Sequence, residues 1–231
     1  MEKEDFIKWA QKLQAHYAPN DYVKNELSEV ELVAIVGPTG VGKTTIIEKL
    51  GLPDVLSDVS RSMRDGEKKN VGYHFREDYL QMMHEIKSGE YVQFLVSSTD
   101  EFYGTRRKAY PNTGICTMAI YADVLDSFQE LGFKKIHKFF IMPPGYVEWM
   151  HRIGSHRSDD LTRRLEEAKS SINKALHDDS YTFILNDDLA TATQEILSAI
   201  KGDEIDTHRS ELAYNTAGSL LEKLGGGDDD F

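Results

Sequence analysis

Residues 31–44 read ELVAIVGPTGVGKT, an apolar run that passes into a glycine-rich loop. The run over 31–37 is short and enriched in β-branched residues, so it predicts a buried parallel strand. The loop over 37–44 has the spacing G-x-x-x-x-G-K-[S/T], and a helix is predicted from Lys43 to Leu50. A strand, such a loop and a helix in this order are typical of a phosphate-binding loop.

The residue types in the loop explain how it would bind phosphate. Its glycines let successive backbone N–H groups turn inward around an anion. Lys43 supplies a positive charge for β- and γ-phosphates, and the hydroxyl of Thr44 is a ligand for Mg²⁺. The helix that follows directs its positive N-terminal end at the same anion. We therefore expect a nucleoside triphosphate, although hydrolases, switches and kinases all use this loop.

Composition limits the remaining possibilities. The 231 residues are 40% hydrophobic and 29% charged, which predicts one globular domain, or one domain with terminal extensions. The net charge is −12 and the pI is about 5.1. An acidic surface repels phosphate backbones and anionic lipids, so we expect neither a nucleic acid nor a membrane as partner.

Cys116 is the one cysteine of the sequence, which excludes an intramolecular disulfide and a cysteine metal cluster. A single cysteine is typical of proteins in the reducing cytoplasm, so we expect that location. The first 14 residues alternate charged with apolar residues and lack the apolar centre of a signal peptide. The sequence contains no run of about 18 apolar residues, so no membrane span is predicted. The eight histidines show no convincing ligand spacing with carboxylates.

Strand patterns alternate with helical patterns on both sides of the loop. Strands are predicted at 91–96, 115–121, 136–142 and 181–185, and helices at 5–17, 77–87, 146–176, 189–200 and 203–224. The segment 57–76 is predicted to be irregular and the tail 225–231 to be disordered. This alternation predicts an α/β fold in which helices cover both faces of a parallel sheet.

Arginines and tyrosines that follow the loop indicate a second phosphate site. Arg61 and Arg64 lie three residues apart, Tyr73 follows them, and Tyr103-Gly104-Thr105 comes later. Guanidinium groups match phosphate oxygens and tyrosine hydroxyls add donors, so these residues could bind a monophosphate. By themselves they fit a solvated basic loop equally well.

Together with the loop, these motifs resemble the guanylate kinase family. The family patterns T-T-R-x-x-R-x-G-E, G-x-x-Y-x-F, Y-Y-G-[S/T], I-F-I-x-P-P and N-D-D-L appear in order, as VSRSMRDGE at 59–67, NVGYHF at 70–75, FYGT at 102–105, FFIMPP at 139–144 and NDDL at 186–189. The two R-L pairs of the family's lid region appear as Arg152-Ile153 and Arg164-Leu165.

The resemblance implies a P-loop three-layer fold with a central parallel sheet, a nucleotide-monophosphate-binding region at 57–110 and a helical lid at 145–170. It also implies phosphorylation of a nucleoside monophosphate, GMP or dGMP, by ATP with Mg²⁺. The residues that would bind ATP are Gly37, Pro38, Thr39, Gly40, Val41, Gly42, Lys43, Thr44, Thr45 and Asn186, with Thr44 also on the metal. The catalytic residues would be Lys43, Arg152 and Arg164, with Arg157 as a further lid candidate. The acceptor would be bound by Ser57, Arg61, Arg64, Tyr73, Gln93, Tyr103 and Thr105.

The resemblance also suggests how the chain is organised. We expect an N-terminal helical extension at 1–31, a guanylate-kinase-like domain at 32–202, and a C-terminal helix with a disordered acidic tail at 203–231. We expect a cytoplasmic monomer or homodimer whose partner is the monophosphate substrate.

Two features depart from the family pattern near the base. Gln93 replaces a glutamate, and its amide satisfies only part of the guanine edge. The family's L-D-I-D strand reads MAIY at 118–121, so both acids are missing, and Asp123 is expected on the following helix. Three alternatives stay open: GMP in a rearranged pocket, another (deoxy)nucleotide or a phosphosugar on the same scaffold, or a non-catalytic binding module.

Overall fold

The computed structural model describes residues 1–63, 67–154 and 158–225, apart from the side chains of residues 158–160. The chain divides into two compact units. The first unit comprises Met1–Leu32, Pro53–Met118 and Asp126–Ile136. The second unit comprises Val33–Leu52, Ala119–Leu125 and the chain from His137 onward.

The secondary structure alternates as an α/β fold requires. The strands are β1 (Val30–Val36), β2 (Ser57–Val59), β3 (Tyr73–Phe75), β4 (Tyr91–Val96), β5 (Phe102–Arg106), β6 (Gly114–Ala119), β7 (Lys135–Met142) and β8 (Tyr181–Leu185). The helices are α1 (Lys3–Gln14), α2 (Asp21–Leu27), α3 (Lys43–Leu50), α4 (Tyr79–Lys87), α5 (Ala122–Phe128), α6 (Tyr146–Ile153), α7 (Ser158–Leu176), α8 (Leu189–Lys201) and α9 (Thr207–Gly225).

These strands form two four-stranded sheets. The central sheet has the order β6-β1-β7-β8, and β7 and β8 pair in parallel with Phe140 opposite Phe183. Strands β1, β7 and β8 of this sheet are mostly buried, as the continuous apolar pattern of β1 predicts. The second sheet has the order β3-β2-β5-β4 and lies in the first unit, with antiparallel pairing of β2 and β4 to β5. The parallel central sheet of the predicted fold class is therefore confirmed.

Helix α1 is an integral part of the first unit. Its apolar face, which includes Phe6 and Ala10, packs into a buried cluster with Met82 of α4 and Phe102 of β5. The hydroxyl of Tyr17 donates to the carbonyl of Tyr91 at 2.6 Å. The predicted amphipathic helix is confirmed, and its buried face is the face that the three- and four-residue spacing of its apolar residues predicts.

The second unit buries α9 against its own elements. Helix α9 packs on α7 and β8, and Ala213, Ala217 and Leu220 provide its buried stripe. The ring of Tyr214 meets the ring of Phe183 edge-on, with centroids 5.1 Å apart. The predicted C-terminal helix is confirmed. It was expected at the surface, and in the structure it buries one face against α7 and β8.

Two elements predicted from the sequence are wrong. The segment 57–76 contains β2 and β3, because pairing of β2 with β5 and of β3 with β2 gives its polar residues a strand conformation that their local sequence does not favour. The helix predicted over 146–176 ends first at Ile153, where Gly154 adopts φ 72° and its N–H caps the carbonyls of Met150 and His151. Most of the tail predicted to be disordered lies outside the described residues.

Among the helices that the structure describes, none has the length and apolar character needed to cross a bilayer.

Candidate active site

Close backbone approach fixes the shape of the loop between β1 and α3. Gly37 adopts φ 141°, and a Cβ there would lie 2.6 Å from the carbonyl oxygen of Ile141 in β7. Gly42 caps α3 with φ 94°, and a Cβ there would lie 2.6 Å from the side-chain nitrogen of Asn186. Both positions combine a left-handed backbone with a neighbour in contact, so only glycine fits. The loop therefore packs directly on the ends of β7 and β8.

Lys43 is held inside this loop. Its ammonium group donates to the carbonyls of Gly37 at 2.7 Å and Pro38 at 2.8 Å. Burial lowers the pKa of Lys43 to about 8, because the charged form loses solvation. Thr44 and Thr45 follow in the first turn of α3 and are exposed. The side-chain cation and the exposed hydroxyls thus lie at the same helix start.

Side chains from α6 and α7 converge on Thr39 of the loop. The indole N–H of Trp149 donates to the Thr39 carbonyl at 2.8 Å, and Trp149 is fully buried. The guanidinium of Arg164 donates to the Thr39 hydroxyl at 3.1 Å. Ile153 lies against Gly40, within 3.0 Å of where its Cβ would be. The Trp149 contact could not be predicted from the sequence, since a tryptophan in an amphipathic helix is expected in the core.

Asn186 joins the loop to the remaining predicted lid arginine. Its side-chain nitrogen donates to the carbonyl of Val41 at 2.7 Å, and it is buried. Its backbone carbonyl accepts a hydrogen bond from Arg152 at 3.0 Å. Arg152 also pairs with Glu148, one turn earlier in α6. The structure therefore brings Lys43, Arg164 and Asn186 to one loop, and Arg152 is joined to that loop through Asn186. Arg157 lies outside the described residues.

In the first unit, the second sheet aligns four of the predicted acceptor residues. Ser57 pairs with Tyr73 between β2 and β3, and Gln93 pairs with Thr105 between β4 and β5. Asp58 pairs with Gly104 between the antiparallel strands β2 and β5. This register places Ser57 opposite Thr105, so these two residues are also neighbours. Residues in one such row face the same side of a sheet. Tyr73, Ser57, Thr105 and Gln93 form this row, which we call the acceptor row.

A bulge in β4 sets the direction of Gln93. The register changes between Tyr91, which pairs with Arg106, and Gln93, which pairs with Thr105. A bulge of this kind moves a side chain to the other face, and bulges are frequent beside active sites. Gln93 is 8% exposed, and its Oε1 has no hydrogen-bond partner within the described part of the chain. A buried amide oxygen left without a donor is costly, which suits a ligand-facing group.

Arg61 lies among aromatic side chains of the same sheet. Its guanidinium is 5.0 Å from the ring centroid of Tyr73 and 5.1 Å from that of Phe75. The rings of Tyr73 and Tyr103 lie 6.1 Å apart. Glu67 pairs with Arg61 through both carboxylate oxygens, at 2.6 and 2.7 Å, and raises the pKa of its guanidinium. The predicted cluster of Arg61, Tyr73 and Tyr103 is thus present, whereas Arg64 lies outside the described residues.

The opposite face of this sheet carries a buried ionic network that the sequence analysis missed. Asp58 is 3% exposed and pairs with Arg106 at 2.7 Å and Arg76 at 3.1 Å. Both arginines also pair with Glu85 of α4. Burial opposes ionisation of Asp58, but hydrogen bonds from Tyr91 and His74 and the two arginines lower its pKa. These residues are 16 to 48 positions from Asp58, so no local pattern relates them.

Comparison with known proteins decides the family. The guanylate kinase of Wolbachia pipientis wMel is 31% identical over 193 residues, which cover 77% of this chain and 92% of that protein. The chain belongs to the guanylate kinase family. The guanylate kinase of Aliivibrio fischeri is 27% identical over 217 residues, covering 86% of this chain and 99% of the relative. No family model matches the chain.

The fold agrees with this family. The crystal structure of guanylate kinase from Anaplasma phagocytophilum superimposes with a TM-score of 0.57 at 22% identity, covering 78% of this chain and 88% of that one. The guanylate kinase resemblance of the sequence motifs is thereby confirmed at the level of family and fold.

The second departure from the guanylate kinase pattern lies at the end of β6. Ala119 and Tyr121 stand where the family resemblance leads one to expect acids, and both are exposed. Asp123 lies in α5, as predicted, and its carboxylate is 3.9 Å from Lys174. No group of three or more histidine, cysteine or acidic residues able to hold a metal occurs among the described residues.

Proposed function

We propose that this chain transfers the γ-phosphoryl group of ATP to a nucleoside monophosphate, with GMP or dGMP as the acceptor. The observation that carries the proposal is the convergence of Lys43, Arg164 and Asn186 on the complete loop 37–44. A binding module without catalysis has no need of a cation, a lid arginine and an asparagine held at one phosphate loop. Membership of the guanylate kinase family supports the same conclusion.

The donor site in this proposal is built by the second unit. Backbone N–H groups of the loop and the N-terminal end of α3 bind the phosphates. Lys43, held near them by two carbonyls, exchanges those bonds for the β- and γ-phosphate oxygens. The residues assigned to ATP are Gly37, Pro38, Thr39, Gly40, Val41, Gly42, Lys43, Thr44, Thr45 and Asn186.

The exposed hydroxyl of Thr44 fits the metal that such a donor requires. Mg²⁺ is commonly held by one or two protein ligands together with phosphate oxygens and water. The lack of an acidic cluster among the described residues is compatible with that arrangement. Bound through Thr44 and the ATP phosphates, Mg²⁺ would supply positive charge next to the transferred group.

The protein's own contribution to catalysis is positioning and charge. Phosphoryl transfer needs no covalent enzyme intermediate, because the acceptor oxygen displaces ADP directly. Lys43, Arg152 and Arg164 neutralise charge that spreads over the equatorial oxygens of the transferred group. Arg152 and Arg164 belong to α6 and α7, so movement of these helices would couple substrate binding to exclusion of water.

The acceptor site in this proposal is built by the first unit. Arg61, Tyr73 and Tyr103, with Arg64, bind the acceptor's phosphate, and Glu67 keeps the Arg61 fork oriented until phosphate takes its place. Gln93, Thr105 and Ser57 of the acceptor row face the base. The unpaired Oε1 of Gln93 accepts an N–H from the guanine edge. The hydroxyl of Thr105 is already paired with the hydroxyl of Tyr110 at 2.8 Å. We therefore expect Thr105 to help position the base but not to distinguish one base from another.

A panel of acceptors tests this proposal. ADP formation from ATP and Mg²⁺ is measured with GMP, dGMP, IMP, AMP, CMP, UMP, dTMP and ribose 5-phosphate, with Lys43→Ala as the control that lacks the loop cation. The fastest turnover with GMP or dGMP is expected. Turnover with ribose 5-phosphate alone would show a phosphosugar kinase, and micromolar ATP binding without turnover would point to a binding module.

A further inference from the structure

Arg209, in the first turn of α9, makes a dense set of polar contacts outside the motifs of the phosphate loop. Its guanidinium pairs with Asp187 at 2.6 and 3.1 Å and donates to the carbonyl of Leu185 at 3.1 Å. Its Nε also pairs with Glu195 of α8. Four polar contacts from one guanidinium are typical of a side chain whose geometry is fixed.

The contacts of Arg209 lie on either side of Asn186 in the chain. Leu185 and Asp187 are the immediate neighbours of Asn186, so the guanidinium holds the chain on both sides of that asparagine. The segment is a turn between β8 and α8, and the backbone N–H of Asn186 also donates to the carbonyl of Met142 in β7 at 2.8 Å. The hydrogen bond from Arg209 also lowers the pKa of Asp187, so both side chains of this ion pair are charged at neutral pH.

Asn186 in turn contacts the phosphate loop. Its side chain donates to Val41, it lies against Gly42 at the start of α3, and its carbonyl accepts from Arg152. The contacts from Arg209 to the loop are therefore continuous and lie within one compact unit. A shift of the turn would move the Asn186 amide away from the loop and release Arg152.

We propose that Arg209 is a positioning residue for the ATP site, acting through Asn186 on the loop 37–44 and on Arg152. This inference rests on the proposed function, because it concerns the site assigned there to ATP. Helix α9 does not depend on Arg209 to stay docked, since Ala213, Ala217 and Leu220 bury it against α7 and β8. Loss of the guanidinium should therefore change the turn more than the fold.

A matched control exists at the other end of β8. Lys138 is buried and pairs with Asp178 at 3.2 Å and with the hydroxyl of Ser180 at 2.8 Å. These partners precede β8, whereas Asn186 follows it, so Lys138→Met removes a comparable ion pair away from the loop. Any general effect of lost stability should appear in this variant as well.

The experiment measures binding of a non-hydrolysable ATP analogue with Mg²⁺ by calorimetry, together with KM for ATP and for the monophosphate. Arg209→Ala should weaken analogue binding about fivefold and raise KM for ATP, with KM for the monophosphate unchanged. Arg209→Lys, which keeps the charge but loses the fork, should fall between Ala and wild type. Lys138→Met should change analogue binding less than about twofold while lowering the melting temperature.

A double-mutant cycle tests the route of the effect. If Arg209 acts through Asn186, Arg209→Ala made in an Asn186→Ala background should weaken binding by less than about twofold further. The positioning role is overturned if Arg209→Ala binds the analogue like wild type in an active enzyme. It is also overturned if its effect persists unchanged in the Asn186→Ala background, or if Lys138→Met loses as much affinity. A wild-type chain that neither binds the analogue nor turns over would overturn the proposed function itself, and this inference with it.

Discussion

Gln93 and Thr105 face each other across β4 and β5, and both are buried, yet of the two only Thr105 has a partner for its side-chain oxygen among the residues that the structure describes. The bulge at the start of β4 turns Gln93 onto this row, while Tyr91 points to Asp58 on the other face. The contrast between a satisfied hydroxyl and an unpaired amide oxygen identifies Gln93 as the group in the row that still requires a donor. In the proposed function, that donor is the N–H edge of the acceptor's base.

The first prediction concerns the charge at this position. Gln93→Glu should raise kcat/KM for GMP about fivefold, because a carboxylate accepts both N1–H and N2–H of guanine. The same change should lower the melting temperature without substrate, since it buries an unpaired carboxylate. Steady-state kinetics and thermal unfolding measure the two effects.

IMP provides the control for this variant. It lacks the 2-amino group, so the gain from Gln93→Glu should be smaller with IMP than with GMP. A fall in kcat/KM for GMP would mean that the pocket beside Thr105 is built for another base.

The second prediction concerns pH and Lys43. Burial lowers the pKa of Lys43 to about 8 from its usual 10.5, so the free protein loses the ammonium charge as pH rises through 8. We expect kcat/KM for ATP to fall above that pH, whereas kcat should fall only at higher pH because bound phosphates favour the charged form. The contribution of Lys43 to the unfolding free energy should rise between pH 8 and 10.5, since this residue is then protonated in the unfolded chain but not in the folded one.

Lys43→Arg is the control for this profile. Arginine stays charged throughout the range, so any residual activity of the variant should show no decline near pH 8. A decline that survives in Lys43→Arg would assign the titration to another group.

The third prediction concerns the tryptophan behind the loop. Trp149→Phe keeps most of the buried ring but removes the N–H that donates to Thr39 at 2.8 Å. A net hydrogen bond is worth about 1 kcal/mol, so KM for ATP should rise about fivefold with little change in KM for the monophosphate. Equal changes in both constants would indicate a general loss of structure instead.

The fourth prediction concerns the buried ionic network. Arg76→Met leaves Asp58 and Glu85 with one fewer cation in a site where the Arg76 side chain is 4% exposed. Breaking such a network costs about 3–5 kcal/mol of unfolding free energy, measured by urea denaturation. Lys134→Met, which removes an exposed pair with Glu31, is the control and should be close to wild type. Equal losses in the two variants would contradict a stabilising role for the network.

Local patterns were sufficient to predict the loop 37–44 and the strand and helix that flank it. The loop 37–44 has fixed spacing, and β1 and α3 follow from hydrophobic periodicity and the loop itself. The predicted start and end of α3, Lys43 and Leu50, match the structure. Gly37 and Gly42 could be predicted as glycines of the loop, although not the contacts with Ile141 and Asn186 that require them.

Long-range pairing explains what the sequence did not reveal. Strands β2 and β3 have three residues each; β2 depends on β5 for its hydrogen bonds and β3 depends on β2, so their polar residues resemble a loop in the sequence. The network at Asp58 joins residues up to 48 positions apart, and Arg209 reaches back 22 positions to Asp187. Neither set of contacts follows a period in the sequence, so only the folded structure shows them.

The most direct measurement follows label from the γ-phosphate of ATP into the acceptor. The wild-type chain is incubated with Mg²⁺, GMP and ATP labelled at the γ-phosphate, and the products are separated by chromatography. The proposed function predicts labelled GDP, abolished by Lys43→Ala. Label released only as inorganic phosphate, or retained in ATP with every monophosphate of the panel, would contradict it.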